Sequence, residues 1–180
     1  MPSRPSARLA GARALTCALV VPLLGGCASA VPVSPAEHAT DPDCAALLIA
    51  TPDTLGDGLE RRRTTAQAST AWGDPAVVLR CGLEPPGPTT DRCETVGTPG
   101  GPSVDWLVVP ESAEPAEDAP DEPAAAEPGT GTDWTFVTYG RVPAVEVYVP
   151  AAAAAVYSTS FLDALGPAIA AHTEQQRTCL

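Results

Sequence analysis

Trp134-Thr135-Phe136-Val137-Thr138-Tyr139, Gly140-Arg141, then Val142-Pro143-Ala144-Val145-Glu146-Val147-Tyr148-Val149 is the stretch that decides the fold. Runs rich in β-branched and aromatic residues on either side of a glycine predict two strands with a tight connection, a hairpin. In the second run Val145, Val147 and Val149 share one face, and Ala144, Glu146 and Tyr148 the other, because side chains alternate along a strand. Pro150 ends it. Upstream, Val104-Asp105-Trp106-Leu107-Val108-Val109 reads as a strand stopped by Pro110. Further up, the turn Gly73-Asp74-Pro75 opens a strand over Ala76-Val77-Val78-Leu79-Arg80-Cys81.

Helices flank these strands. Asp41-Pro42 is an N-cap followed by proline at the first position, ahead of Cys44-Ala45-Ala46-Leu47-Leu48-Ile49. Pro52 ends or kinks that helix, and Leu55 and Leu59 are expected on another turn before Arg61-Arg62-Arg63. Near the end of the chain Phe161, Leu165 and Ile169 recur at helical spacing, with Leu162 and Ala168 beside them. Ser158 or Ser160 is the expected cap, and Gly166-Pro167 should kink this helix. Consecutive strands between two helices predict an α+β fold: a small antiparallel sheet of about four strands, with both helices on one face.

The first thirty residues carry an address. Arg4, Arg8 and Arg13 precede an apolar run from Ala14 to Leu24, and Leu24-Gly25-Gly26-Cys27 follows. This is the layout of a lipoprotein signal: residues 1–26 removed and Cys27 acylated, which holds the chain on the outer face of the plasma membrane. Ala28-Ser29-Ala30 offers a second cleavage site that would release a soluble protein. An uncleaved anchor fits poorly, since the apolar run is well short of the ~20 residues that span a bilayer. Residues 27–40 are then expected to be a flexible spacer, and residues 41–180 one domain. Within it, residues 110–133 hold eight acids, no base and five prolines, the composition of a disordered insertion.

All ten basic residues are Arg, and the chain has neither Lys nor Asn. Codon bias of a GC-rich genome accounts for this, so the Arg preference is no sign of phosphate binding. The formal charge is −12. Loss of residues 1–26 removes three Arg and no acid, leaving seven Arg against 22 acids, a charge of −15. Such a surface repels nucleic acid, and nucleic-acid binding is excluded.

Beyond Cys17 in the signal and Cys27, four cysteines remain: Cys44, Cys81, Cys93 and Cys179. An even number in an exported chain predicts two disulfides. Three pairings are open. The turn-rich segment between Cys81 and Cys93 favours that pair, which leaves Cys44 with Cys179 as a staple from the domain's start to its end. No C-x-x-C pair exists, which argues against zinc and against a redox motif. Asp53, Asp57, Gly58 and Glu60 fail the calcium-loop pattern because Leu55 stands at the third position. The two histidines, His38 and His172, belong to no nucleophile–base arrangement. No catalytic residue, metal ligand or cofactor is assigned.

Arg80, Arg141, Trp72 and Tyr148 form a candidate binding patch, since Arg and aromatic side chains dominate binding hot spots and sugar platforms. The competing reading puts Trp106, Trp134 and Tyr139 in the core, with Arg80 and Arg141 paired to Asp74, Asp105 or Glu146.

Cys44, Trp72-Gly73-Asp74-Pro75-Ala76, Leu79-Arg80-Cys81-Gly82, Val104-Asp105-Trp106 and Thr138–Val147 together resemble an actinobacterial exported family, domain of unknown function 3515. The resemblance spans residues 41–172 and implies an exported chain, often a lipoprotein, with no activity and no site residues to carry over. The expected function is a non-catalytic binding or accessory lipoprotein of the cell envelope, touching the membrane through lipid and meeting an envelope protein or a cell-wall fragment. The alternative is a hydrolase or transferase acting on the cell wall through carboxylates that the sequence does not single out.

Overall fold

The computed structural model describes residues 29–56, 58–111, 131–157 and 159–180. Residues 1–28 with Cys27, Asp57, residues 112–130 of the acidic insertion and Ser158 lie outside the described residues.

The first helix forms where the capping pattern puts it. In α1 (Pro42–Ala50) the Asp41 carboxylate accepts the Asp43 N–H at 2.8 Å, and Pro42 fills the first turn, where no N–H is needed. Thr51 closes the helix by donating its N–H to the Leu47 carbonyl at 3.0 Å and its hydroxyl to the Leu48 carbonyl at 2.7 Å. Leu55 and Leu59, expected on a further helical turn, instead face each other across a hairpin of β1 (Thr54–Leu55) and β2 (Leu59–Arg62). Pro52 denies the helix an N–H, and both leucines gain full burial as strand residues.

The remaining strands are β3 (Ser69–Trp72), β4 (Val77–Leu83), β5 (Cys93–Gly97), β6 (Ser103–Glu111), β7 (Asp133–Thr138), β8 (Arg141–Val142) and β9 (Ala144–Val149). Among the described residues, β1 to β7 and β9 make one antiparallel sheet of eight strands in the order β1-β2-β3-β4-β9-β7-β6-β5. The expected sheet of about four strands is therefore corrected to twice that size. The added strands are short or polar: β2 carries Glu60-Arg61-Arg62 and β5 carries Cys93-Glu94-Thr95, so neither shows apolar alternation. β6 also runs through Pro110 to Glu111 rather than stopping at Val109.

The predicted β7–β9 pairing is present, with Trp134 opposite Val149 and Phe136 opposite Val147. Val145, Val147 and Val149 point into the core, while Glu146 and Tyr148 are half-buried on the outer face. The core lies between the sheet and the helices, where Leu47, Leu79, Trp106, Val147, Leu165 and Ile169 pack together.

The C-terminal region is not one kinked helix. It comprises α2 (Ala151–Ala154), a 3-10 helix (Thr159–Leu165), α3 (Gly166–His172) and a final strand β10 (Glu174–Gln175). Pro167 starts α3 instead of bending it, because the first turn tolerates a missing N–H. Phe161, Leu162, Leu165 and Ile169 are buried as their spacing requires, and α3 packs against α1. Among the described residues no helix is long and apolar enough to cross a membrane.

The tail then leaves the helical layer. β10 pairs with β8, and the Gly140 carbonyl accepts the N–H groups of Gln176 and Arg177. A Cβ on Gly140 would come within 2.4 Å of the Arg177 carbonyl oxygen, so glycine lets the tail approach. The Cys179 N–H donates to the Asp105 carboxylate at 2.9 Å.

Both disulfides differ from the favoured pairing. Cys44 bonds Cys81 with Cα atoms 5.5 Å apart, and Cys93 bonds Cys179 at 5.9 Å. Cys81 faces the helices from β4, whereas Cys93 sits on the far edge strand and meets the tail on the opposite face. Four strand spacings of about 4.8 Å separate β4 from β5, so nearness in sequence does not bring Cys81 to Cys93. Two disulfides mark a chain that folds in an oxidising compartment.

Non-reducing peptide mapping should join Cys44 to Cys81 and Cys93 to Cys179. The loops closed span 37 and 86 residues, so Cys44→Ser and Cys179→Ser should each lower unfolding free energy by about 4 kcal/mol. Denaturant titration measures it.

Candidate functional site

On the face of the sheet away from the helices, the β4–β9 seam floors a groove of about 720 Å³. The alternation of each strand selects the side chains. Val78 and Arg80 come from β4, Glu146 and Tyr148 from β9, and Thr135 and Val137 from β7. Val109 of β6 adds an apolar side chain that is 43% exposed. In register, Val78 lies opposite Tyr148 and Arg80 opposite Glu146.

The charges in the groove are matched. The Arg80 guanidinium donates through Nε and Nη2 to one Glu146 oxygen, at 2.8 and 2.6 Å. Glu146 keeps only 14% of its side-chain surface exposed, so the pair stands between a surface ion pair and a buried one. The Tyr148 hydroxyl donates to the Asp133 carboxylate, whose other oxygen accepts the Ala151 N–H at 2.7 Å.

One wall comes from the segment expected to be a spacer. Val31 to Ser34 line the groove. The Val31 N–H donates to the Arg63 carbonyl at 2.8 Å, and its carbonyl accepts the Thr65 N–H at 2.9 Å. Farther along, the His38 N–H donates to the Gly82 carbonyl at 2.8 Å, and Arg80 Nη1 reaches the Ser34 carbonyl at 3.4 Å. Residues 31–39 are thus a strap bonded along the sheet. Gly82, at φ +96°, permits the crossing: a Cβ there would lie 2.5 Å from the His38 carbonyl group.

Of the four patch residues only Arg80 and Tyr148 meet in this groove. Trp72 is fully buried on the other face, with its indole N–H donated to the Pro52 carbonyl at 3.0 Å. Arg141 is 4% exposed. Its guanidinium donates to Thr173, Ser103 and Gln175 at 3.3–3.5 Å, which ties the tail to β8. Burial pulls the Arg141 pKa below its ordinary value and the nearby Asp105 carboxylate opposes this; arginine remains charged throughout. The patch is corrected accordingly, because Trp72 and Arg141 serve packing and the tail. The competing reading holds for Trp106, which is fully buried, and for Arg80, which pairs with Glu146, while Trp134 and Tyr139 are half-buried. Asp74 lies 3.6 Å from Arg62 rather than beside either patch arginine.

Neither histidine enters the groove: His38 Nε2 is 3.3 Å from the Glu84 carboxylate, and His172 ends α3. Among the described residues no three His, Cys, Asp or Glu side chains gather to hold a metal ion. The strap is what sequence reasoning missed, since Val31-Pro32-Val33-Ser34 has no pattern beyond its alternating valines.

The seam, the glycine under the strap and the Cys-bearing strands all fall inside residues 25–178, the range matched by the model of the family described as protein of unknown function (DUF3515). The chain belongs to the DUF3515 family. No curated protein and no solved structure matches it. In this DUF3515 chain, then, the groove must be read from its own chemistry. It offers apolar floor, hydroxyls and an internally neutralised ion pair, which suits recognition of a ligand more than proton transfer.

Gly82→Ala should displace the strap and cost roughly 1–3 kcal/mol from backbone strain and the clash with His38; thermal unfolding and amide exchange at His38 report both. Arg80→Met should cost about 1–2 kcal/mol by stranding Glu146, and adding Glu146→Leu should recover most of that loss. A double-mutant cycle in denaturant checks it.

Proposed function

We propose that this protein is an exported, non-catalytic binding protein of the cell envelope, tethered to the outer face of the plasma membrane by lipid on Cys27. The observation that carries this reading is the strap. Cys27 precedes Val31 by four residues, a span of at most about 14 Å. Val31 is bonded to the domain, and the next three residues wall the groove. An acyl anchor at Cys27 therefore brings the groove to the membrane surface instead of leaving the domain on a long leash.

The two disulfides support an exported chain. The groove's chemistry supports binding: Glu146 is held by Arg80, and Asp133 by Tyr148 and the Ala151 N–H. Neither carboxylate stands free for acid–base work, so the groove does not favour a hydrolase. Its occupant on this reading is an envelope protein or a cell-wall fragment, met at the membrane surface.

Cys27→Ser should move the protein from the membrane fraction to the medium, or leave an unprocessed precursor, because acylation supplies about 0.8 kcal/mol per buried methylene. Unchanged fractionation overturns the anchor. A photoreactive side chain at Val137, on the groove floor, should give adducts in intact cells that the same side chain at Ile49 does not; Ile49 lies on α1 and is 84% exposed. Identical adducts from both positions, or none from Val137, overturn the groove as the binding surface.

A further inference from the structure

The cations of this acidic chain are unevenly placed. Arg61, Arg62 and Arg63 are consecutive, at and just past the end of β2. Residues 27–36 and 61–73 together hold these three Arg and no acid, in a chain with 22 acids. Codon bias explains Arg in place of Lys, but not this clustering.

The fold brings the two acid-free stretches together. The Val31 N–H donates to the Arg63 carbonyl at 2.8 Å, and Val31 bridges to Thr64 in parallel. Cys27, four residues before Val31, is thereby held within about 14 Å of this contact. Beside the contact lies a hollow of about 590 Å³, lined by all three Arg with Asp53, Thr64 and Gln67.

The three guanidinium groups are held differently. Arg61 donates to the Leu48 and Thr51 carbonyls at the end of α1, with Asp53 at 3.9 Å. Arg62 donates to the Gly73 carbonyl at 3.0 Å and lies 3.6 Å from Asp74. Both acids are almost fully exposed, and such solvated pairs are weak. Arg63 is exposed, and its side chain has neither an ion pair nor a hydrogen bond among the described residues.

We propose that Arg61 to Arg63 dock the domain on anionic phospholipid headgroups, with Arg63 donating to a headgroup phosphate. The inference rests on the lipid anchor at Cys27. A guanidinium presents paired N–H donors that match two phosphate oxygens. The chain as a whole repels an anionic surface, so the acyl group supplies attachment and the Arg cluster sets orientation. At a membrane only charges within a Debye length, about 10 Å, act strongly. The described ends of the acidic insertion, Glu111 and Asp133, leave the sheet from β6 and β7. β7 lies four strand positions from β2, about 19 Å away at the usual strand spacing. The domain thus stands on its β2 corner.

The test uses the chain from Cys27 onward with both disulfides formed, in which Cys27 is the one free thiol. Coupling that thiol to a maleimide lipid in vesicles supplies the anchor whether or not the cell acylates it. Failure here is therefore distinct from unchanged fractionation of Cys27→Ser. A photoreactive side chain at Gln67, exposed beside Arg63, should give several-fold more phospholipid adducts in vesicles of equal parts phosphatidylcholine and phosphatidylglycerol than in phosphatidylcholine alone. Arg63→Gln should cut that yield about three- to fivefold, the weight of one cation near an anionic surface, and high salt should do the same. Arg92→Gln makes the same charge change beside β5, at the far edge of the sheet, and should leave the yield as it was. Equal adducts in the two vesicles, or none, overturn the proposal. So does a yield that Arg63→Gln leaves unchanged, or one that Arg92→Gln lowers as much.

Discussion

Everything in this structure depends on the pairing of β4 with β9. Cross-strand partners in this seam, such as Arg80 and Glu146, are 66 residues apart in the chain, so a large loop-closure entropy must be overcome before the contact forms. Burial meets that cost. Leu79 faces Val147 and Cys81 faces Val145 in register on the core side, and all four are fully buried. The seam joins two antiparallel runs, β1-β2-β3-β4 and β9-β7-β6-β5, into one sheet. Each run alone would expose a hydrogen-bonding edge at the seam.

The covalent links do not cross that seam. Cys44–Cys81 closes the first run onto α1, and Cys93–Cys179 closes the second onto the tail. Each disulfide restricts one half of the unfolded chain, while the halves are held to each other by ladder hydrogen bonds, shared core and the Arg80–Glu146 pair. The helices reinforce this arrangement from the core side, where α1 of the first half packs on α3 of the second. The groove inherits its position from the same pairing, since its floor is the outer side of the seam.

The two ends of the described chain finish the outer face. The strap crosses beside β4, and the tail comes round Gly140 to meet Asp105 and Cys93. Asp105 holds the tail directly while its other oxygen accepts the Thr95 hydroxyl at 2.6 Å. Arg141 holds the tail from β8. Two buried ionisable side chains thus serve to fasten a terminal segment, which is why Arg141 is absent from the groove. Their burial is tolerable because each is hydrogen-bonded and they lie near one another with opposite charge.

Local chemistry was legible in the residues themselves. Asp41-Pro42 specified a helix start, since a cap and a missing N–H act within one turn. The alternation of Val145, Val147 and Val149 specified a buried face, since it depends only on strand geometry. An even set of cysteines pointed to two disulfides, and the joint motifs pointed to the family. Tertiary structure alone decided the rest. Strand order, and with it the partner of every cysteine, follows from which edges bury the most apolar surface when the halves meet, a property of the whole chain. Short polar strands such as β2 and β5 exist because neighbours complete their hydrogen bonds. Whether an arginine or tryptophan lies in a groove or a core depends on what packs over it: Arg80 and Arg141 look alike in sequence, yet one borders the groove and the other is sealed beneath the tail.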